Sequence, residues 1–124
     1  MTSEANPESI VQRQLDAYNA HDIEALMAAY AEDAELFEHP ATLLATGAAQ
    51  LRERFILRFN EPNLQARLIN RIVMGPMVID HEEVARMFPE GPGKVELIAV
   101  YEVRDGRIST ARFINGTKTL DPQS

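Results

Sequence analysis

Val95-Glu96-Leu97-Ile98-Ala99-Val100-Tyr101-Glu102-Val103-Arg104-Asp105-Gly106-Arg107 decides the architecture. Val95, Leu97, Ala99, Tyr101 and Val103 alternate with Glu96, Ile98, Val100 and Glu102, which is the two-residue period of a strand. Asp105-Gly106 is the strongest hairpin signal in the chain and turns this strand back on the next, Arg107 to Asn115. Working backwards, Glu90-Gly91-Pro92-Gly93 is another turn and Met77 to Phe88 another long strand. Gly75-Pro76 joins that strand to a run from Asn63 to Met74, in which Leu64, Ala66 and Leu68 alternate with Asn63, Gln65 and Arg67. Four consecutive strands therefore form an antiparallel meander.

The first half of the chain has a helical period instead. Asn6-Pro7 reads as an N-cap followed by proline at the first helical position. Ile10, Val11, Gln14, Leu15 and Tyr18 then share one face. This helix stops near His21, and Asp22 caps a second, short one carrying Ile23, Leu26, Met27 and Tyr30. Ala34 to His39 reads as a short strand stopped by Pro40, and Pro40 to Gly47 as a loop. A third helix runs from Ala48 to Phe59, with Leu51, Phe55 and Phe59 spaced by four. Helices first and hairpins later predict an α+β fold: three N-terminal helices packed on a curved, mainly antiparallel sheet. Thr117 to Ser124 is a polar stretch expected to be a flexible tail.

The 124 residues suit a single domain. Hydrophobic residues at 45% and charged residues at 25% are a globular balance. Twelve basic against 19 acidic side chains give a net charge of −7, which argues against nucleic acid or an anionic membrane as partner. The absence of cysteine removes disulfides and thiol nucleophiles. Three histidines without cysteine make a dedicated metal site an unexpected feature. There is no phosphate-binding glycine loop, no G-x-S-x-G and no H-E-x-x-H, so no cofactor is expected. The polar, acidic first residues and the lack of a long apolar run predict a soluble cytoplasmic protein.

Val11 to Leu26, with its Asn19-Ala20-His21-Asp22 helix end, and Tyr30-Ala31-Glu32-Asp33-Ala34 resemble the N-terminal region of SnoaL-like and ketosteroid isomerase-like proteins of the nuclear transport factor 2-like superfamily. Tyr101-Glu102-Val103-Arg104-Asp105-Gly106-Arg107-Ile108 is similar to their last hairpin. The resemblance spans about Pro7 to Asn115 and implies a cystatin-like cone with a pocket inside the sheet, often as a homodimer. Ketosteroid isomerases use a carboxylate base, a tyrosine and a protonated aspartate. Here Gln14 stands at the tyrosine position, Ala99 at the aspartate position, and Glu38 or His39 at the base position. The steroid mechanism is therefore not expected.

His39 ends a strand and would transfer a proton near neutral pH; the plainer reading is a surface histidine. Only one of Glu38 and His39 can face the pocket, since strand side chains alternate. The size of Phe37 favours His39 inside; a buried Leu36 would put Glu38 there instead. Gln14 would polarise a ligand oxygen. Tyr18, Tyr30, Phe55, Phe59, His81, Ala99, Tyr101, Phe113 and Asn115 complete the expected ligand-binding set.

Asp80-His81-Glu82-Glu83 interrupts an apolar strand, so two polar groups come with either face. The plain reading is a charged edge strand; the sharper one makes His81 a pocket group. Arg52, Arg54 and Arg58 read as a solvated helix face. Ile98 and Val100 give the sheet a second apolar face, which predicts a sheet-to-sheet homodimer. The expected activity is cofactor-independent proton transfer (isomerisation, or addition or loss of water) on a hydrophobic carbonyl or hydroxyl compound. The alternative is a non-catalytic small-molecule binder or dimeric interaction domain.

Overall fold

The helix starts follow from local capping. In the computed structural model, which describes residues 6–122, Asn6 Oδ1 accepts the Glu8 backbone N–H at 2.8 Å. Proline follows it, and α1 spans Pro7–Asn19. Asp22 Oδ1 accepts the Ala25 N–H at 3.1 Å and starts α2, Ile23–Ala28. Gly47, at φ 85°, turns the chain into α3, Ala48–Phe59.

The strands are β1 (Tyr30–Glu38), β2 (Thr42–Thr46), β3 (Gln65–Met74), β4 (Met77–Phe88), β5 (Gly91–Arg104) and β6 (Arg107–Leu120). They form one sheet in the order β2-β1-β6-β5-β4-β3. Every pairing is antiparallel except that of β1 with β6. Asp105 and Gly106 both have positive φ, 54° and 77°, as a tight hairpin of this sequence requires. The three helices cover one face of the sheet, and the resulting architecture is the expected α+β cone.

Three expectations about the elements change. Strand β1 begins at Tyr30, four residues before the alternating pattern becomes visible. Thr42–Thr46 is not loop: it pairs with β1 as an edge strand and buries Ala45. Thr119 and Leu120, expected in a flexible tail, pair with Lys94 and Gly93, so β6 runs to Leu120; residues 123 and 124 of that stretch lie outside the described residues.

This last pairing depends on the lack of a side chain at Gly93. A Cβ there would lie 2.5 Å from the Thr119 carbonyl oxygen and 3.0 Å from Leu120 Cα, both backbone atoms. Gly93→Ala is expected to cost ~1–3 kcal/mol, the scale of an overpacked contact. Amide exchange at Thr119 and Leu120 should accelerate in that variant; unchanged exchange would contradict the pairing.

The main core lies between the helices and the inner sheet face. Val11, Leu26, Leu36, Leu51, Val78 and Ile108 are its largest fully buried apolar side chains. A smaller cluster of Leu15, Leu64, Ala66 and Val84 closes the side near β3. Asn19 ties α1 to that strand by a pair of bonds: its Nδ2 donates to the Ala66 carbonyl at 2.9 Å, and its Oδ1 accepts the Ala66 N–H at 2.7 Å. The two contacts satisfy backbone groups on the open edge of β3.

Candidate active site

The parity of β4 settles which side chains reach the interior. Val78, Asp80, Glu82 and Val84 are buried, whereas Ile79, His81 and Glu83 lie on the outer face. The strand is interior to the sheet, with β3 outside it, so it is not the charged edge that the sequence suggested. Two carboxylates therefore enter the molecule side by side. They are treated differently.

Asp80 is neutralised. The Arg71 guanidinium on β3 donates through Nε to Oδ1 at 2.7 Å and through Nη2 to Oδ2 at 3.0 Å. Its Nη1 donates to Gln12 Oε1 on α1 at 2.8 Å, with Glu8 3.9 Å away. This two-point pairing is the geometry in which arginine binds a carboxylate best. A bulge between Leu68 and Asn70 resets the register so that Arg71 faces Asp80.

Glu82 is left without such a partner. Its side chain is buried, and its Oε2 has no hydrogen bond among the described residues. Burial pushes its carboxyl up, the neighbouring Asp80 charge adds to this, and Arg71 opposes it; the result is about 7. The groups facing it include Tyr30 and Tyr101. Burial first, and the Glu82 charge second, raise both phenols, so both remain neutral hydrogen-bond donors at any physiological pH. Burial also raises Tyr18, while Arg58 and Arg86 act to lower it.

Glu82 lines a hollow of about 150 Å³ between the helices and the sheet. Its apolar walls include Leu15, Leu36, Phe55, Val84, Leu97 and Phe113. Gln14, Tyr30 and Tyr101 line it as well. Gln14 Oε1 and the Tyr30 hydroxyl, like Glu82 Oε2, are buried without a protein partner. Buried polar atoms are ordinarily satisfied, so three orphans around one hollow make it the candidate site. Among the described residues, no cluster of His, Asp or Glu is arranged to hold a metal ion.

The structure brings Gln14, Tyr18, Tyr30, Phe55, Tyr101, Phe113 and Asn115 together around this hollow. It does not bring the rest. Leu36 is fully buried and Phe37 lies on the outer face beneath the Arg112 guanidinium, 5.1 Å from its ring centroid. The bulk of Phe37 thus misleads, and the alternation favours Glu38 over His39. Glu38 reaches only the rim, where it accepts a bond from Asn115 Nδ2 at 3.3 Å. His39 is exposed in the turn after β1, with its backbone N–H on the Phe113 carbonyl. His81 is paired with Glu96 on the outer face. Phe59 packs against Tyr18 and stacks on His21, away from the hollow. Ala99 is fully buried within the core.

Glu82 is the residue that sequence reasoning missed. The sequence left it open: Val78, Val84 and Phe88 share its parity, an apolar set matched by that of the opposite face. Arg54 and Arg58 were missed too, since both line the hollow, and only Arg52 of that helix face pairs outward, with Glu24.

An α+β cone with a partly polar hollow is a small-molecule enzyme-like fold. The SnoaL-like domain profile matches residues 11–111, and the chain belongs to that family. Among solved structures, it is similar to an LEH-like epoxide hydrolase from M. tuberculosis: 19% identity, 93% of this chain and 84% of that one covered, TM-score 0.77. An uncharacterised cystatin-fold protein from Novosphingobium aromaticivorans matches at 21% identity over 92% of this chain and 99% of its own, TM-score 0.80. A putative ketosteroid isomerase from Kribbella flavida matches at 18% identity over 99% and 85%, TM-score 0.76. At these identities the likeness concerns the fold. No curated protein matches the sequence. No described helix is long and apolar enough to cross a membrane.

Proposed function

We propose that this chain is a cofactor-independent acid–base enzyme acting on a hydrophobic carbonyl or hydroxyl compound, with Glu82 as the proton carrier. The observation that supports it is the unpartnered Glu82 carboxyl in an apolar hollow, poised near about 7. A group half ionised at working pH serves as base and as acid. As a carboxylate it removes the proton next to a carbonyl, and the C–H electron pair moves onto the carbonyl oxygen. The Tyr30 hydroxyl donates to that oxygen, and the Gln14 amide offers a second donor. The protonated Glu82 then returns the proton to another carbon, giving an isomer, or to a departing hydroxyl, which leaves as water.

The test is turnover of small cyclic and branched enones, β-hydroxy ketones and epoxides by the purified protein across pH. Activity that follows a single ionisation near about 7 supports the reading. A non-catalytic binder would hold such compounds without converting any of them.

Homodimerisation is part of the same proposal. Ile72 pairs with Ile79, Ile79 with Val100 and Ile98 with Ile114 across the outer face, which leaves a continuous apolar band in solvent. Bands of this kind mark interfaces. The Ile98→Glu/Ile114→Glu variant is expected to halve the sedimenting mass of the wild type. A wild type that sediments as a monomer at high concentration would contradict this.

A further inference from the structure

The hollow has an electrostatic asymmetry that proton transfer alone does not need. Its charged lining consists of Arg54, Arg58, Arg86 and Glu82, three cations against one carboxylate, in a chain whose net charge is −7. Glu82 sits in the buried wall. Arg86 is spoken for: its Nε and Nη2 both donate to Glu61, at 2.8 Å each. Arg58 reaches Oε2 of the same Glu61 only as an ion pair at 3.8 Å, beyond hydrogen-bond distance, and otherwise stands beside the Tyr18 hydroxyl. Arg54 makes no hydrogen bond or ion pair among the described residues; Glu38, a carboxylate whose charge acts on it, accepts from Asn115 at the rim. Arg54 and Arg58 stand one helical turn apart on α3, so their guanidiniums share a face.

Two half-buried guanidiniums, one unpaired and one with only a long ion pair, suit a planar anion as partner. We infer that the ligand of this pocket is amphipathic and anionic: an apolar body in the hollow and a carboxylate held at its mouth by Arg54 and Arg58. The inference rests on the reading of the hollow as a ligand site and names the substrate class for it. A hollow of about 150 Å³ takes a body of about six carbon atoms, since an apolar cavity of that size accepts a benzene ring.

The test is a matched pair of probes, hexanoate and 1-hexanol, titrated at low ionic strength and followed by calorimetry and by methyl shifts of Leu36 and Val84. Hexanoate is expected to bind at least about tenfold more tightly, and added salt to erode the difference. In Arg54→Gln/Arg58→Gln, hexanoate should fall to the affinity of hexanol while hexanol binding is unchanged. Arg52→Gln, outside the hollow, should leave both unchanged, and hexanol binding reports that each variant is folded. Equal affinities in the wild type would overturn the inference and leave the pocket reading intact. Failure of both probes to bind would overturn both.

Discussion

Glu82→Gln is expected to stabilise the protein in mild alkali while removing its turnover. A carboxyl shifted from 4.5 to about 7 by folding corresponds to a stability cost of ~3 kcal/mol at most. In strong acid the group is protonated whether the chain is folded or not, and the cost is absent. As pH rises from 4.5 to about 7, the unfolded chain releases this proton and the folded one keeps it, so stability falls across that window. Above it the full penalty is present. Glutamine has nearly the same shape and no charge to desolvate. Chemical denaturation should therefore show the variant more stable than wild type above neutrality and equal to it in acid. Turnover, once a substrate is found, should fall ~10²–10⁴-fold, the scale of a lost general acid–base group. A variant no more stable than wild type in alkali would mean that the carboxyl is solvated.

The second large effect concerns the neighbouring carboxylate. Asp80 is fully buried and Arg71 nearly so, with 9% of its side chain exposed. Asp80→Ala strands the guanidinium without its two-point partner, leaving only the exposed Glu8 at 3.9 Å, and is expected to cost ~3–5 kcal/mol. For a domain of this size that is a drop in Tm of about 10–20 °C. Arg71→Met/Asp80→Leu, which removes both charges and keeps the volume, should recover most of it. Where Asp80 is replaced, the Glu82 carboxyl should also drop, because Asp80 holds it up and Arg71 opposes that. A loss below ~1 kcal/mol for Asp80→Ala would show that the pair is not desolvated. The two carboxylates, two positions apart on β4, thus have opposite signatures: removing one charge stabilises the fold and removing the other breaks it.

The framework was legible because its signals are local. Asn6-Pro7 and Asp22 cap helices through atoms two or three residues away, and Asp105-Gly106 sets a turn by its own backbone preference. Elements that depend on distant partners were not legible. Thr42–Thr46 is too short and polar to announce a strand, and it becomes one by pairing with β1. Thr119 and Leu120 are held by Lys94 and Gly93. For the site, Gln14, Tyr30 and Tyr101 could be found because a polar atom stands out on an apolar face. The choice between His81 and Glu82 could not be made, since both parities of β4 carry apolar and charged residues alike. Arg71, contributed by β3, decides it by taking Asp80 to the inner face. Phe37 failed as a guide to burial for a similar reason: Arg112 covers its ring from a different strand.

The account depends on a glutamic acid that keeps its proton to neutrality because the cone shields it from water. Carbon-13 NMR of the side-chain carboxyls, with Glu82 assigned by its loss in Glu82→Gln, measures this without a substrate. The account predicts a midpoint near about 7 for Glu82. A midpoint near 4.5, the ordinary value for a solvated glutamate, would contradict it.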